Sequence, residues 1–380
     1  MFPSDQNDGY AYLPDELLED ILEGATEITT DIQQIFDSLQ TKRASFREKL
    51  VSDGKILRAA SLESVSSPSV CAVDGGLAME KSIGADTVLV VAVGVEGLVR
   101  EDRRKWTGVQ HRHWRRVLAH EGDDSSRFAK GVMAALELEI ATQAPHDVII
   151  FDGSHLTPII GLNSMLSLDV PLLGPLAGQV LSEHKTTRAL DAFFKRPSII
   201  SMVKYDSSRE LSYAWFDEPV GFDDRTLMTL LLEEGEYTQP IGFAQSPERK
   251  KQLRDLHIRI AYNDFEDKDT ISQEFAVALS HARSIQVVYY RPHDFAPAYR
   301  IELKSEAAYS NIRLSTILQA IREQVISSEV REPYPQFLAD EMAKSVGVGL
   351  QALRTSVMFN LTDTRADSLM RMLTQSYRTD

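Results

Sequence analysis

The chain has 380 residues, 43% of them hydrophobic and 26% charged, the balance of an ordinary globular protein. No apolar run approaches the roughly 20 residues of a spanning helix, which excludes a membrane protein built on such helices. Cys71 is the sole cysteine, so an intrachain disulfide and a cysteine zinc site are excluded. The opening MFPSDQNDGY has neither a basic nor an apolar signal region, and a cytoplasmic location is expected.

The net charge of −15 is unevenly spread. Residues 1–41 hold ten acids and no Lys or Arg, which leaves only −5 for the rest. Residues 100–116 (REDRRKWTGVQHRHWRR) carry seven basic residues against two acids. An acidic total does not exclude a nucleic-acid partner, because phosphate contacts depend on local patches.

Residues 13–50 read as helix, with Leu17, Leu18, Ile21, Leu22, Ile28, Ile32, Ile35, Phe36 and Leu39 at three- and four-residue spacing. A serine-rich loop follows at 61–69. VCAVDGG (70–76) reads as a strand stopped by a glycine turn, and 87–97 as a second, buried strand. Residues 98–105 read as a returning third strand. Helix is expected over 126–143, where Phe128, Val132, Leu136 and Ile140 form one stripe before Pro145. DVIIFDGS (147–154) is another buried strand. Further strands are expected at 197–206, 284–291 and 298–303, and helices at 223–234, 307–327, 336–346 and 366–378. The expected division is an acidic helical arm over 1–60 and one α/β domain over 61–380.

Two of these strands carry Asp-Gly after an apolar run: Asp74 in AVDGG and Asp152 in IIFDGS. Side by side, they bring two carboxylates together, which repel unless a cation bridges them. Hard ions such as Mg²⁺ or Mn²⁺ take oxygen ligands of this kind. The intervening helix offers Glu137 and Glu139. At about 100° per residue Glu139 falls within the buried stripe and Glu137 at its border. His111 and His113 could bind metal, but the basic, Trp-bearing stretch around them is more simply a DNA-backbone contact. His155 follows the Asp152 motif, either in the site or in a turn, and Cys71 reads as inert within its strand. No G-x-x-x-x-G-K-[ST] is present, so any motor must be a partner.

Three strands, a helix and a strand, with Asp, Glu and Asp in that order, resemble the ribonuclease-H-like nuclease core. More narrowly, AVDGG, the helix Glu, IIFDGS, SMVKYDSS, GFDDRTLMTLLLEEGEY, AYRIEL and PYPQFLADEMAKS resemble the NurA family, over roughly residues 40–350. The resemblance implies a ribonuclease-H-like mixed sheet with flanking helices, its core about 68–206 and completed by 284–350. It implies Mn²⁺- or Mg²⁺-dependent DNA degradation, typically 5′→3′, with a HerA-type hexameric translocase as partner, and a homodimer. DNA-end processing and anti-phage defence both fit. By position it makes Asp74, Asp152 and Glu137 metal ligands, with Glu139 the competitor, and brings Lys204 to the phosphate. On the basic stretch's own composition, Arg103, Arg104, Arg112, Arg115 and Arg116 are expected as DNA-backbone contacts.

The sequence departs from the family near its end. A tyrosine and a histidine are expected there; Glu332 stands at the first position, with Tyr334 nearby, and Asp340 at the second. Asp340 is then either a further metal carboxylate or a helix cap. Two other readings compete: an actin-like ATPase, whose phosphate loop also has Asp followed by glycines, and an inactive adaptor that only docks on a translocase.

Overall fold

The computed structural model describes residues 14–82, 85–204, 207–216 and 221–362; the helix expected at 366–378 lies outside them. The chain divides into two units at Asp53 and Gly54. The first holds α1 (Asp15–Glu23) and α2 (Ala25–Ser52). Pro14 stands at the N-cap of α1, and Gly24 separates the two helices.

The second unit is a ten-stranded mixed sheet with helices on both faces. Its strands are β1 (Ile56–Arg58), β2 (Val70–Ser82), β3 (Ala85–Glu96), β4 (Gln110–Ala119), β5 (Val148–Asp152), β6 (Ile199–Val203), β7 (Glu236–Thr238), β8 (Ile241–Gly242), β9 (Ile285–Arg291) and β10 (Tyr299–Lys304). Helix α3 (Asp123–Gln143) links β4 to β5, and α4 (Thr157–Leu166), α5 (Leu173–Glu183) and α6 (Thr186–Lys195) lead to β6. Next come α7 (Glu210–Trp215), α8 (Asp224–Leu231), α9 (Pro247–Arg254) and α10 (Lys268–Ala282). After β10 stand α11 (Ser305–Ala308), α12 (Asn311–Gln324), α13 (Tyr334–Lys344) and α14 (Val346–Thr362). Among the described residues no helix is long and apolar enough to cross a membrane.

The strand order is β1-β7-β9-β10-β6-β5-β2-β3-β4, with β8 beside β9. Strands β2, β3 and β4 form an antiparallel meander, while β5 and β6 run parallel to β2. Three up-and-down strands, a helical crossover and two parallel strands are the ribonuclease-H-like order. Strand β5 is buried on both faces, as parallel strands under two helical layers must be. On one face Phe128, Val132 and Leu136 of α3 are fully buried, each worth about 1.5–3 kcal/mol of transfer free energy. On the other, Val70, Ala72, Val148, Ile150, Ile200 and Met202 pack against Leu314, Ile317, Ala339 and Ala343 of α12 and α13.

Two readings of this region change. The third strand is not 98–105, which contains a 3₁₀ turn at Glu101–Arg103; it is β4, the basic stretch itself. Its side chains alternate, with Trp114 and Leu118 buried and most of the others exposed. A charged strand suits an exposed sheet edge, because charge there blocks edge-to-edge pairing. Nor do Gly75 and Gly76 end β2 in a turn, since the strand runs on to Ser82. They make room for helices. A Cβ on Gly75 would lie 2.4 Å from Glu137 Oε1, and one on Gly76 would lie 2.1 Å from the Ala343 carbonyl oxygen. Glycine within a strand marks such close approaches. An actin-like phosphate loop therefore has no counterpart at AVDGG.

Candidate metal centre

Alternation along β2 puts Asp74 on the same face as Val70 and Ala72. The parallel register, Val73 beside Phe151, puts Asp152 on that face too, at the end of β5. Gly153 then turns with φ +89°, a conformation glycine adopts without strain. Lys204 follows β6 in the same phase as Ile200 and Met202. Helix α13 crosses above and contributes Asp340. One carboxylate oxygen from each of Asp74, Asp152 and Asp340 lies within 4.8 Å of the others.

The surroundings explain the electrostatics. Burial, then the charge of Asp152, pushes Asp74 up to about 7, against a hydrogen bond from the Gly75 amide. Burial also raises Asp152, although Lys204 and a hydrogen bond from Gln336 oppose it. Glu137 reaches the cluster from the opposite face through the gap at Gly75. It is held well above the usual carboxylate range by burial first, then by Asp74 and Asp152. Three acids with raised pKa values in one place have a stake in a cation.

Lys204 lies 3.3 Å from Asp152, 3.1 Å from Glu332 and 3.2 Å from Asp340. Its burial works against the charge, but Asp152 and Glu332 outweigh it and raise its pKa. Burial is likewise outweighed at Asp340, whose pKa falls through hydrogen bonds from Lys344 and Lys204. Asp340 is no helix cap: α13 starts at Tyr334 with Pro333 at its N-cap.

The structure does not bring every expected residue here. Glu139 points elsewhere, 2.6 Å from Arg112 and 2.7 Å from His184. Its hydrogen bonds from both outweigh burial and lower its pKa. Glu137 and Glu139 are two residues apart, hence about 200° around the helix, and only Glu137 faces the aspartates. Arg112 is thereby committed to Glu139 and Gln143. Trp114 packs on Phe128 of α3, and Arg116 lies over the Trp114 ring, 6.0 Å from its centre. Arg103, in the 3₁₀ turn, donates to the Ser67 carbonyl, and Arg104 caps that turn. Of the five arginines, only Arg115 is on β4 in phase with the site. The rows Asp74–Val93–His111 and Ala78–Leu89–Arg115 put His111, His113 and Arg115 on the face of Asp74. Two strand spacings separate His111 from Asp74, about 10 Å.

His155 is not in the site. It is buried against Phe193 and Phe194, and burial pushes it down to about 3. Two supporting residues carry no motif of their own. Gln336 donates to Asp152 from α13. Glu302 of β10 accepts from Ser154 Oγ and the His155 amide, both at 2.8 Å, fixing the turn after Asp152. Their only sequence signal is their place in AYRIEL and PYPQFLADEMAKS.

A ribonuclease-H-like sheet gathers carboxylates where β2 meets β5, an oxygen-donor cluster that could hold a hard divalent ion, as a nuclease requires. The NurA domain family model matches residues 68–345, and the chain belongs to the NurA family. It is similar to the crystal structure of the NurA nuclease from Sulfolobus solfataricus, with 15% identity and a TM-score of 0.58 over 93% of this chain and 99% of that one. Two further NurA crystal structures, one with manganese, share 12% identity over 88% of this chain and 98% of each, with TM-scores of 0.52 and 0.50. No curated protein matches it in sequence.

Proposed function

We propose that this protein is a Mn²⁺- or Mg²⁺-dependent deoxyribonuclease in which Asp74, Asp152 and Asp340 hold the metal and Glu137 completes the site. The convergence of three carboxylate oxygens within 4.8 Å carries this reading. The donor set fits, because oxygen-only, charged ligands suit a hard divalent ion. A similar NurA structure was solved with manganese, which supports the choice of ion. When bound, such an ion supplies Lewis acidity to the phosphate and acidity to its water.

The chain's own residues do the rest. Lys204 offers a charge to a scissile phosphate, and Glu137, buried and proton-binding, can take or return a proton beside Asp74. His111, His113 and Arg115 extend from the centre along the open edge strand and fit a DNA backbone. Family resemblance supports 5′→3′ exonuclease polarity, single-strand endonuclease activity, a HerA-type hexameric translocase partner and a homodimer, in end processing or defence. The acidic helical unit suits protein docking rather than DNA, since Leu17, Ile21, Leu22, Ile28 and Ile32 are exposed along its helices.

The direct test is degradation of end-labelled DNA by the purified chain with Mn²⁺, Mg²⁺ or EDTA. Degradation with a divalent ion and none in EDTA is expected; no degradation under any condition would favour the inactive adaptor. For the DNA path, Arg115→Ala should flatten the salt dependence of binding by about one unit of log–log slope, one phosphate contact. Arg112→Ala, already paired with Glu139, should leave it unchanged. The reverse pattern would move the DNA to the other face of the sheet.

A further inference from the structure

The site holds five carboxyl groups, Asp74, Glu137, Asp152, Glu332 and Asp340, around a single half-buried ammonium, that of Lys204. That ammonium is within 3.3 Å of Asp152 and 3.2 Å of Asp340, two of the three residues whose oxygens converge. A divalent ion needs the same oxygens and the same negative charge. The third contact, 3.1 Å to Glu332, is different. Glu332 lies outside the converging trio, and among the described residues its ion pair is with Lys204 alone. Lys344 also donates to Asp340, but from the exposed side of α13.

The carbonyl oxygen of Lys204 accepts from Arg225. Four methylenes and three rotatable N–H donors let its ammonium change partners without moving the chain. A phosphate oxygen brought to the centre is a partner of equal charge.

Resting on the metal-site reading above, we propose that Lys204 is a tethered counter-ion that competes with the metal for Asp152 and Asp340. Glu332 is the positioning residue that parks it there, and an incoming phosphate draws it off. Metal and nucleic acid then bind with positive coupling, and by linkage each tightens the other equally. Before DNA arrives, the lysine keeps five acids folded together and keeps the metal weakly held.

The test is calorimetric titration of the full-length protein with Mn²⁺, with and without saturating dAMP, a monophosphate with no diester to cleave. Without dAMP, Lys204→Met should bind Mn²⁺ about tenfold more tightly than the wild type, within the usual range of coupling between two sites. With dAMP the gap should close, because the wild-type lysine has left the carboxylates. Adding Glu332→Gln to Lys204→Met should change Mn²⁺ affinity by less than about twofold, the behaviour of two residues acting as one unit. Lys204→Gln serves if Lys204→Met does not fold without metal. Equal or weaker Mn²⁺ binding by the lysine variant overturns the proposal, as does a gap that dAMP leaves open. A tenfold loss on adding Glu332→Gln would make Glu332 a ligand and overturn its positioning role. Asp152→Asn separates the two levels: lost Mn²⁺ binding there with no effect of Lys204→Met refutes the counter-ion alone. Mn²⁺ binding retained in Asp152→Asn removes the metal site and this inference with it.

Discussion

Asp74→Asn and Asp152→Asn should each lower metal-dependent DNA cleavage at least as far as the roughly 100- to 1,000-fold that losing one preorganised electrostatic group costs. Neither should unfold the protein, but their stabilities should differ. Asp74 is raised to about 7 by burial and by Asp152, against the weaker pull of Lys204, and among the described residues it makes no direct ion pair. In EDTA, the folded chain therefore keeps a proton on Asp74 that the unfolded chain releases above its ordinary value of 3.8. The folded state binds more protons, so stability should fall as pH rises from about 4 to about 7, then level off. Asp74→Asn removes its share of that slope and should be more stable than the wild type at pH 7.5, with little difference near pH 4. Asp152 is raised as well, but it pairs with Lys204 and Gln336, so losing those contacts offsets the relief and the gain in Asp152→Asn should be smaller. Saturating Mn²⁺ should reverse the wild-type trend, since ligands must lose protons to bind metal. Denaturant unfolding in EDTA at three pH values measures the slope. Full cleavage by either variant would dismiss the metal centre.

The two aspartates were legible because each ends an apolar run and precedes glycine, a pattern set by strand burial and close backbone approach. What that approach serves was not. Gly75 and Gly76 look like a turn in sequence, and only the helices over both faces show that the strand passes between them. The basic stretch was misread for a related cause. Polar side chains at His111, Arg112, His113, Arg115 and Arg116 hide the alternation, because only Trp114 and Leu118 of this edge strand are buried. Trp114 and Leu118 were the usable signal. Asp340 was visible as a carboxylate at a position where the family has histidine. That it meets Asp74 depends on contacts more than 260 residues apart in sequence, which no local pattern encodes.

Helix α3 gives the second large effect, because its two glutamates separate chemistry from packing. Centring the buried stripe on Phe128, Val132, Leu136 and Ile140 favours Glu139, but the helix is buried over a wider arc that also takes in Met133's neighbour Glu137. Small residues make that arc possible: Ala129, Ala134, Ala135 and Ala141 are all buried. Glu137 then faces the aspartates, while Glu139 joins Arg112 to His184. Glu137→Gln keeps the shape and removes a carboxyl that can carry a proton or meet the metal, so folding should be unimpaired while cleavage falls about 100-fold or more. Glu139→Gln should leave cleavage within a few-fold of wild type and instead cost about 1–3 kcal/mol of stability, the worth of hydrogen bonds to a charged group. Cleavage rates and denaturant unfolding of the two variants, run side by side, decide it. If Glu139→Gln proved the more damaging to cleavage, the ion pair with Arg112 would be part of the DNA path and Glu137 a buried acid of the core.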